Sequence, residues 1–210
     1  MSFLANLNWR YATKKYDTAA KLAPEKLEQI LEAIRMAPSA NGYQPYDVIV
    51  VSNNGVREKL KSAAYNQPQL TEAAVVLVFA AWDNIHVGNL GKVFDNLAKV
   101  RGESAELTAR RKSAIAGFEG KSAEENHNFA AQQAFIGLGF GLAAAAELKV
   151  DSSPMGGFIP AQFDEILGLK EKGLHSVAIL CLGERDAGGD WLVGLPKVRR
   201  PKTEMFHDVK

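Results

Sequence analysis

Phe129-Ala-Ala-Gln-Gln-Ala-Phe-Ile-Gly-Leu-Gly-Phe-Gly-Leu-Ala-Ala-Ala-Ala-Glu-Leu148 is long and apolar enough to be mistaken for a membrane span. It carries Gln132, Gln133 and Glu147 and is preceded by Asn126, His127 and Asn128, groups that cost far more in hydrocarbon than in a protein interior. The spacing predicts a buried helix instead. Its small residues Ala131, Ala134, Gly137, Gly141, Ala144 and Ala145 recur three or four apart, where another helix can approach closely. A second copy of the chain would use such a helix well, and packing within one chain would use it equally. The Gly-Leu-Gly-Phe-Gly run inside it lacks the preceding strand that a dinucleotide fingerprint requires.

Outward from this helix the chain mixes helices and strands without repeats or low-complexity linkers. Pro24, Leu27, Ile30, Leu31 and Ile34 have helical spacing, with Pro in the first turn and Met36-Ala37-Pro38 closing the element. After a loop from Ser39 to Pro45, Asp47–Val51 reads as a strand, Asn53-Asn54-Gly55 as a turn and Val56–Ala64 as a helix. Ala73–Ala81 and Ser176–Leu182 read as buried strands. The more polar stretch from about 83 to 125 predicts helices projecting from the core, where substrate preference can vary.

The 210 residues, 47% apolar with net charge +1, fit one domain spanning 1–210 and lack the cation density of a general nucleic-acid binder. Cys181 is the only cysteine and lies in the apolar run Ser176–Leu182, which predicts a buried thiol and a reducing compartment. With no basic and apolar leader at the N-terminus, a cytoplasmic location is expected, with neither membrane nor nucleic acid as partner. His86, His127, His175 and His207 show no ligand-like spacing, so no metal is expected.

In this nearly neutral chain, cations cluster at both ends. Arg10-Tyr-Ala-Thr-Lys-Lys-Tyr-Asp17 and Leu195-Pro-Lys-Val-Arg-Arg-Pro201 place Arg and Lys beside aromatic residues and Pro. Guanidinium matches phosphate oxygens bidentately and ammonium adds point charge, so the two segments together suggest a clamp for a phosphorylated ligand. Taken singly, either is an ordinary solvated basic patch.

The order of these motifs resembles the FMN-dependent nitroreductases, which include oxygen-insensitive NAD(P)H nitroreductases and dihydropteridine reductases. The resemblance runs through Arg10 and Lys14, then Ala37-Pro-Ser-Ala-Asn-Gly-Tyr-Gln-Pro-Tyr46, Asn66, Pro154-Met-Gly-Gly-Phe158, Lys197 and Arg199. It covers nearly the whole chain, least so from 83 to 125. It implies an α+β fold, with a mixed, mostly antiparallel sheet wrapped by helices in an intertwined homodimer. A tail after 196 would cross the partner, and each of two interfacial sites would hold one FMN.

The resemblance also implies residue roles. Arg10, Lys197 and Arg199, with Tyr11 and Ala12 beside them, would hold the FMN phosphate, and Lys14 would stabilise the reduced, anionic ring. Pro38, Ser39, Ala40 and Asn41 would contact ribityl or pyrimidine atoms, Asn66 and Gln69 the ring edge, and the Pro154-Met155-Gly156-Gly157 turn the ring face through backbone N–H groups. Relatives carry Glu where this chain has Gly156, Ser where it has Ala12, and in some cases Lys or Arg where it has Gln69. Tyr43, Ile115, Phe118 and Phe129 are candidates for lining a substrate channel. The implied reaction is ping-pong: NADH or NADPH reduces the flavin, and a nitroaromatic, quinone or related planar acceptor collects two electrons. No protein nucleophile takes part. A pteridine, flavin or enone reductase, a slow flavin-storage protein, and a flavin-free binder of phosphate ligands are the alternatives.

Overall fold

The computed structural model describes residues 2–209. In chain order the elements are α1 (Phe3–Trp9), α2 (Pro24–Arg35), β1 (Tyr46–Val51), α3 (Asn54–Ser62), α4 (Gln69–Glu72), β2 (Val75–Trp82), α5 (Val87–Arg101), α6 (Ala105–Glu119), α7 (Ala123–Glu147), β3 (Asp151–Met155), α8 (Pro160–Leu167), β4 (Leu174–Gly183) and α9 (Lys202–Met205). The four strands form one sheet in the order β1-β2-β4-β3, antiparallel at every pairing. A parallel bridge joins Ala12 to Ser152 at the β3 edge. The fold is α+β, as expected.

The central strands are buried on both faces, which their continuous apolar runs require. On one face Val75, Leu77, Phe79, Leu180 and Leu182 pack against Ile30 and Ile34 of α2 and Ala134, Leu138 and Ala145 of α7. On the other, Val76, Val78, Ile179 and Cys181 meet Leu60 of α3, Leu70 of α4 and Phe163 of α8. Two alternating faces thus give a three-layer core, each fully buried Leu or Phe contributing about 1.5–3 kcal/mol.

The long apolar stretch is indeed helical. A capping box between Ser122 and Glu125 starts α7, so Asn126, His127 and Asn128 lie inside the helix. Its small residues turn inward. A Cβ on Gly137 would lie 2.5 Å from the Tyr46 hydroxyl oxygen, and one on Gly141 3.1 Å from Ile34, so these glycines admit β1 and α2 of the same chain. The opposite face leaves Phe135, Ile136 and Phe140 exposed.

Five of these elements, α1, α4, β3, α8 and α9, escaped the sequence reading. The helix α1 is capped by the Ser2 hydroxyl, which accepts from Ala5 N–H. Pro154 and Met155 belong to β3 and pair with Leu180 and Ile179, which corrects their assignment to a turn that begins only at Gly156. Pro is tolerated there because β3 is an edge strand. The polar stretch forms α5 and α6, closed over Tyr43, Ile85, Leu90, Phe94 and Phe118 and tied by Arg111–Asp95 at 2.7 Å.

Candidate functional site

The basic segments meet. Arg10, Tyr11, Ala12, Pro154, Lys197 and Arg199 line one cleft of about 630 Å3, together with Trp9, Arg185, Leu192 and Leu195. Lys197 Nζ donates to the Arg10 carbonyl, joining the two ends of the chain. Burial and the nearby Arg199 hold the Arg10 guanidinium below its usual pKa. Burial, then Arg10 and Arg199, do the same to the Lys197 ammonium. Among the described residues none of the three forms an ion pair. Arg10 Nε and Nη2 are buried and lack a hydrogen-bond partner there. Orphaned cationic donors at a cleft wall are costly unless an anion answers them, and a phosphate ester carries the charge and acceptor count to do so.

The cleft wall is braced from behind. The Arg185 guanidinium lies between the rings of Trp9 and Tyr11, 4.5 and 4.6 Å from their centres, and pairs with Asp151 at 2.5 Å. Buried Asp190 accepts from the Tyr11 hydroxyl at 3.0 Å and from Lys14 N–H at 2.8 Å. Burial and the bond to Asp190 push the Tyr11 phenol up to about 12. The Lys14 side chain is half-buried.

Asn66, Gln69 and the glycine turn are linked through a residue the sequence reading missed. Gln67 Nε2 donates to the Gly157 carbonyl at 2.7 Å and to the Ala64 carbonyl at 3.1 Å. Gly156 and Gly157 are exposed, and a Cβ on Gly156 would meet nothing within 4 Å. Tyr65 and Asn66 both hold left-handed backbone, φ 53° and 58°. Such consecutive strain in non-glycine residues gathers at functional sites. Gln69, in α4, is buried with Oε1 lacking a partner among the described residues. Glu72 accepts from Tyr16 N–H and ties α4 to the N-terminal segment.

The remaining candidates sit elsewhere. Pro38, Ser39, Ala40 and Asn41 precede β1 at the other edge of the sheet, Asn41 with φ 55°. Gln133 of α7, also missed, holds this loop: its Oε1 accepts from Ala40 N–H at 2.8 Å, while its Nε2 donates to the Phe129 carbonyl. The Ser39 hydroxyl accepts from Gln44 N–H at 2.9 Å. Tyr43, Ile115, Phe118 and Phe129 come together in one cluster, Phe118 edge-on to Tyr43 at 6.1 Å and 5.2 Å from Phe129. Tyr43 and Phe118 are buried there. Two strands separate this set from the cationic cleft, which borders β3, and three strand spacings amount to about 14 Å. The proposed site residues therefore fall into two groups, one at each edge of the sheet.

The nitroreductase family model matches residues 7–184. An oxygen-insensitive NAD(P)H nitroreductase of Salmonella typhimurium is 30% identical over 211 residues, spanning 95% of this chain and 96% of the relative. The major NAD(P)H-flavin oxidoreductase of Aliivibrio fischeri is 28% identical over 218 residues, spanning 97% and 95%. A protein of Exiguobacterium sibiricum, solved in complex with FMN, superimposes with TM-score 0.84 at 24% identity, covering 100% of this chain and 98% of that one. With the motif order, the α+β architecture and the whole-length similarity in agreement, the chain belongs to the nitroreductase family.

Proposed function

We propose that this protein is an FMN-dependent NAD(P)H oxidoreductase that passes two electrons to nitroaromatics, quinones or related planar acceptors, and that it works as a cytoplasmic homodimer. The single observation carrying the cofactor assignment is the trio Arg10, Lys197 and Arg199: cations from both ends of the chain share one cleft without an ion pair among the described residues. The residues fit the group. Arg10, Lys197 and Arg199 supply the phosphate donors, and Gln69 offers an unpaired buried carbonyl oxygen to a ring N–H. The exposed Gly156–Gly157 backbone permits close approach of a flat ligand. Bound FMN supplies the chemistry, taking a hydride equivalent from NADH or NADPH and giving two electrons to the acceptor.

The chain's own part is to bind, orient and exclude water. Gln67 fixes the Gly157 carbonyl and with it the turn that would border the flavin. Lys14, beside the cationic cleft in sequence, would supply positive charge to stabilise a reduced, anionic flavin ring. The loop Pro38–Asn41 and the cluster Tyr43, Ile115, Phe118 and Phe129 would complete the second wall and admit the acceptor. Because these groups occupy the two edges of the sheet, a complete pocket takes one group from each of two copies. The outward face of α7 suits that contact, with Phe135 52% and Phe140 42% exposed, and so does the tail, where Val198 is 82% and Phe206 68% exposed.

The test is the visible spectrum of the FMN-reconstituted protein under anaerobic conditions, before and after NADH and then NADPH. Bleaching of the flavin band by either nucleotide is expected. A bound flavin that stays oxidised would mark a storage protein, and no bound flavin would remove the site assignment.

A further inference from the structure

Asp190 is the last buried residue before the C-terminal cationic segment, and the function proposed above gives it no part beyond bracing the cleft wall. Asp190 is 4% exposed, and its carboxylate answers four donors. Oδ2 accepts from the Tyr11 hydroxyl at 3.0 Å, Lys14 N–H at 2.8 Å and Lys15 N–H at 3.4 Å, and Oδ1 accepts from Leu192 N–H at 2.9 Å. Three of these donors lie on the N-terminal segment and one on the C-terminal segment, so a single side chain fastens one jaw of the cleft to the other.

The turn that delivers Asp190 is built for the purpose. Asp186 N–H donates to the Lys15 carbonyl at 3.0 Å, and the Asp186 carboxylate accepts from Gly188 and Gly189 N–H. A Cβ on Gly189 would strike Asp186 Oδ2 and lie 2.7 Å from Lys15 Cδ, so glycine lets the turn close without displacing those two side chains. Asp190 N–H then donates to the Asp186 carbonyl at 2.8 Å, and Val193 N–H to the Asp190 carbonyl at 3.1 Å. Seven residues on, Lys197 reaches the Arg10 carbonyl.

We infer that Asp190 is a positioning residue that sets the spacing between Arg10 on one jaw and Lys197 and Arg199 on the other, and thereby the affinity for the phosphate of the flavin. This rests on the FMN reading above. All of its partners are donors, so the position calls for a carboxylate: an amide has one acceptor oxygen and would turn its own N–H groups toward Leu192 N–H or toward the Tyr11 and Lys14 donors.

Riboflavin lacks the phosphate but shares the ring, so the ratio of FMN to riboflavin affinity reports the clamp alone. Both are measured by flavin fluorescence titration on wild type, Asp190→Asn, Asp190→Ala and Tyr11→Phe, with circular dichroism to verify folding. Asp190→Asn should lower the ratio about tenfold, the effect of misaligning one charge-assisted hydrogen bond, while riboflavin affinity changes by less than about twofold. Tyr11→Phe, which keeps the carboxylate and removes one of its four donors, should lower the ratio about threefold, and it decides the matter where neither Asp190 variant folds. A ratio unchanged in folded Asp190→Asn, or in Tyr11→Phe, overturns the role of Asp190 alone. Parallel loss of both ligands also overturns it, marking a general structural residue. A wild type that binds FMN no tighter than riboflavin removes the phosphate site, and this proposal with it.

Discussion

Arg10→Met should move stability and cofactor affinity in opposite directions. Methionine keeps an unbranched apolar stem like that of the arginine but removes its charge and the two buried donors that lack a partner among the described residues. An unsatisfied buried donor costs about 1–3 kcal/mol, and because Arg10 is half-buried the gain on removing it is discounted to about 1 kcal/mol. Relief of Lys197 and Arg199 acts in the same direction. For a chain of this length that gain raises Tm of the flavin-free protein by about 2–4 °C. Loss of charge-assisted hydrogen bonds to phosphate, about 1.5–3 kcal/mol, should weaken FMN binding about 10- to 150-fold. Thermal unfolding of the flavin-free protein and fluorescence titration with FMN, both at one fixed chain concentration, read the two effects. A variant with a lower Tm and unchanged FMN affinity would refute the reasoning, because Arg10 would then be a structural cation already satisfied by its own protein.

Gly137→Ala gains about 1 kcal/mol of helix propensity yet places a Cβ 2.5 Å from the Tyr46 hydroxyl oxygen and 2.9 Å from its Cζ. Overpacking of about 1–3 kcal/mol should exceed that gain and lower the urea midpoint, with part of the loss recovered by Tyr46→Phe in the same background. At Asp190 burial opposes ionisation, but the N–H and hydroxyl donors outweigh it and hold the carboxyl below its ordinary pKa. The resulting stabilisation is present above the unfolded value of about 3.9 and lost as pH falls through the folded one. The stability gap between wild type and Asp190→Asn should therefore be flat near neutral pH and close below about pH 4. Burial pushes the Cys181 thiol up to about 12, so iodoacetamide should label it only after unfolding; rapid labelling of the folded protein would contradict its placement in the core.

What the sequence made legible were features whose cause is local. Pro24 with the Leu27, Ile30 and Ile34 stripe announces α2, and the unbroken apolar run Ala73–Ala81 a buried strand, which the structure begins at Val75. The long Gly- and Ala-rich stretch announces a packed helix, although which face of α7 meets the sheet depends on where Tyr46 and Ile34 lie. By contrast β3, Asp151-Ser-Ser-Pro-Met155, has the composition of a loop and becomes a strand through pairing with β4 and the Asp151–Arg185 ion pair. In Phe3–Trp9 there is no amphipathic stripe long enough to read; the helix is held by its cap and by Asn6 donating to Glu147 at 2.6 Å. The meeting of the basic segments was legible because like charges at both ends of a neutral chain ask for a shared anion. Gln67, Gln133 and Asp190 were not, since an isolated amide or carboxylate takes its role from what tertiary folding brings beside it. Nor did spacing disclose that the Ser39–Asn41 loop and the Tyr43 cluster lie across the sheet from the cationic cleft.

On the proposed reading, that division between the two edges of the sheet makes each pocket a shared possession of two copies, and shared pockets can complement one another. A chain crippled at Arg10 keeps a sound Pro38–Asn41 wall, and a chain crippled at Gln133 keeps a sound cationic cleft. Mixed dimers of the two would rebuild one intact pocket out of two, so reconstituting them together after dissociation should return up to about a quarter of wild-type flavin capacity, half the dimers being mixed and each holding one good pocket. By the same logic flavin retention should follow mass action in the chain itself: dilution that separates the copies should release the cofactor, and cofactor in excess should draw the copies together.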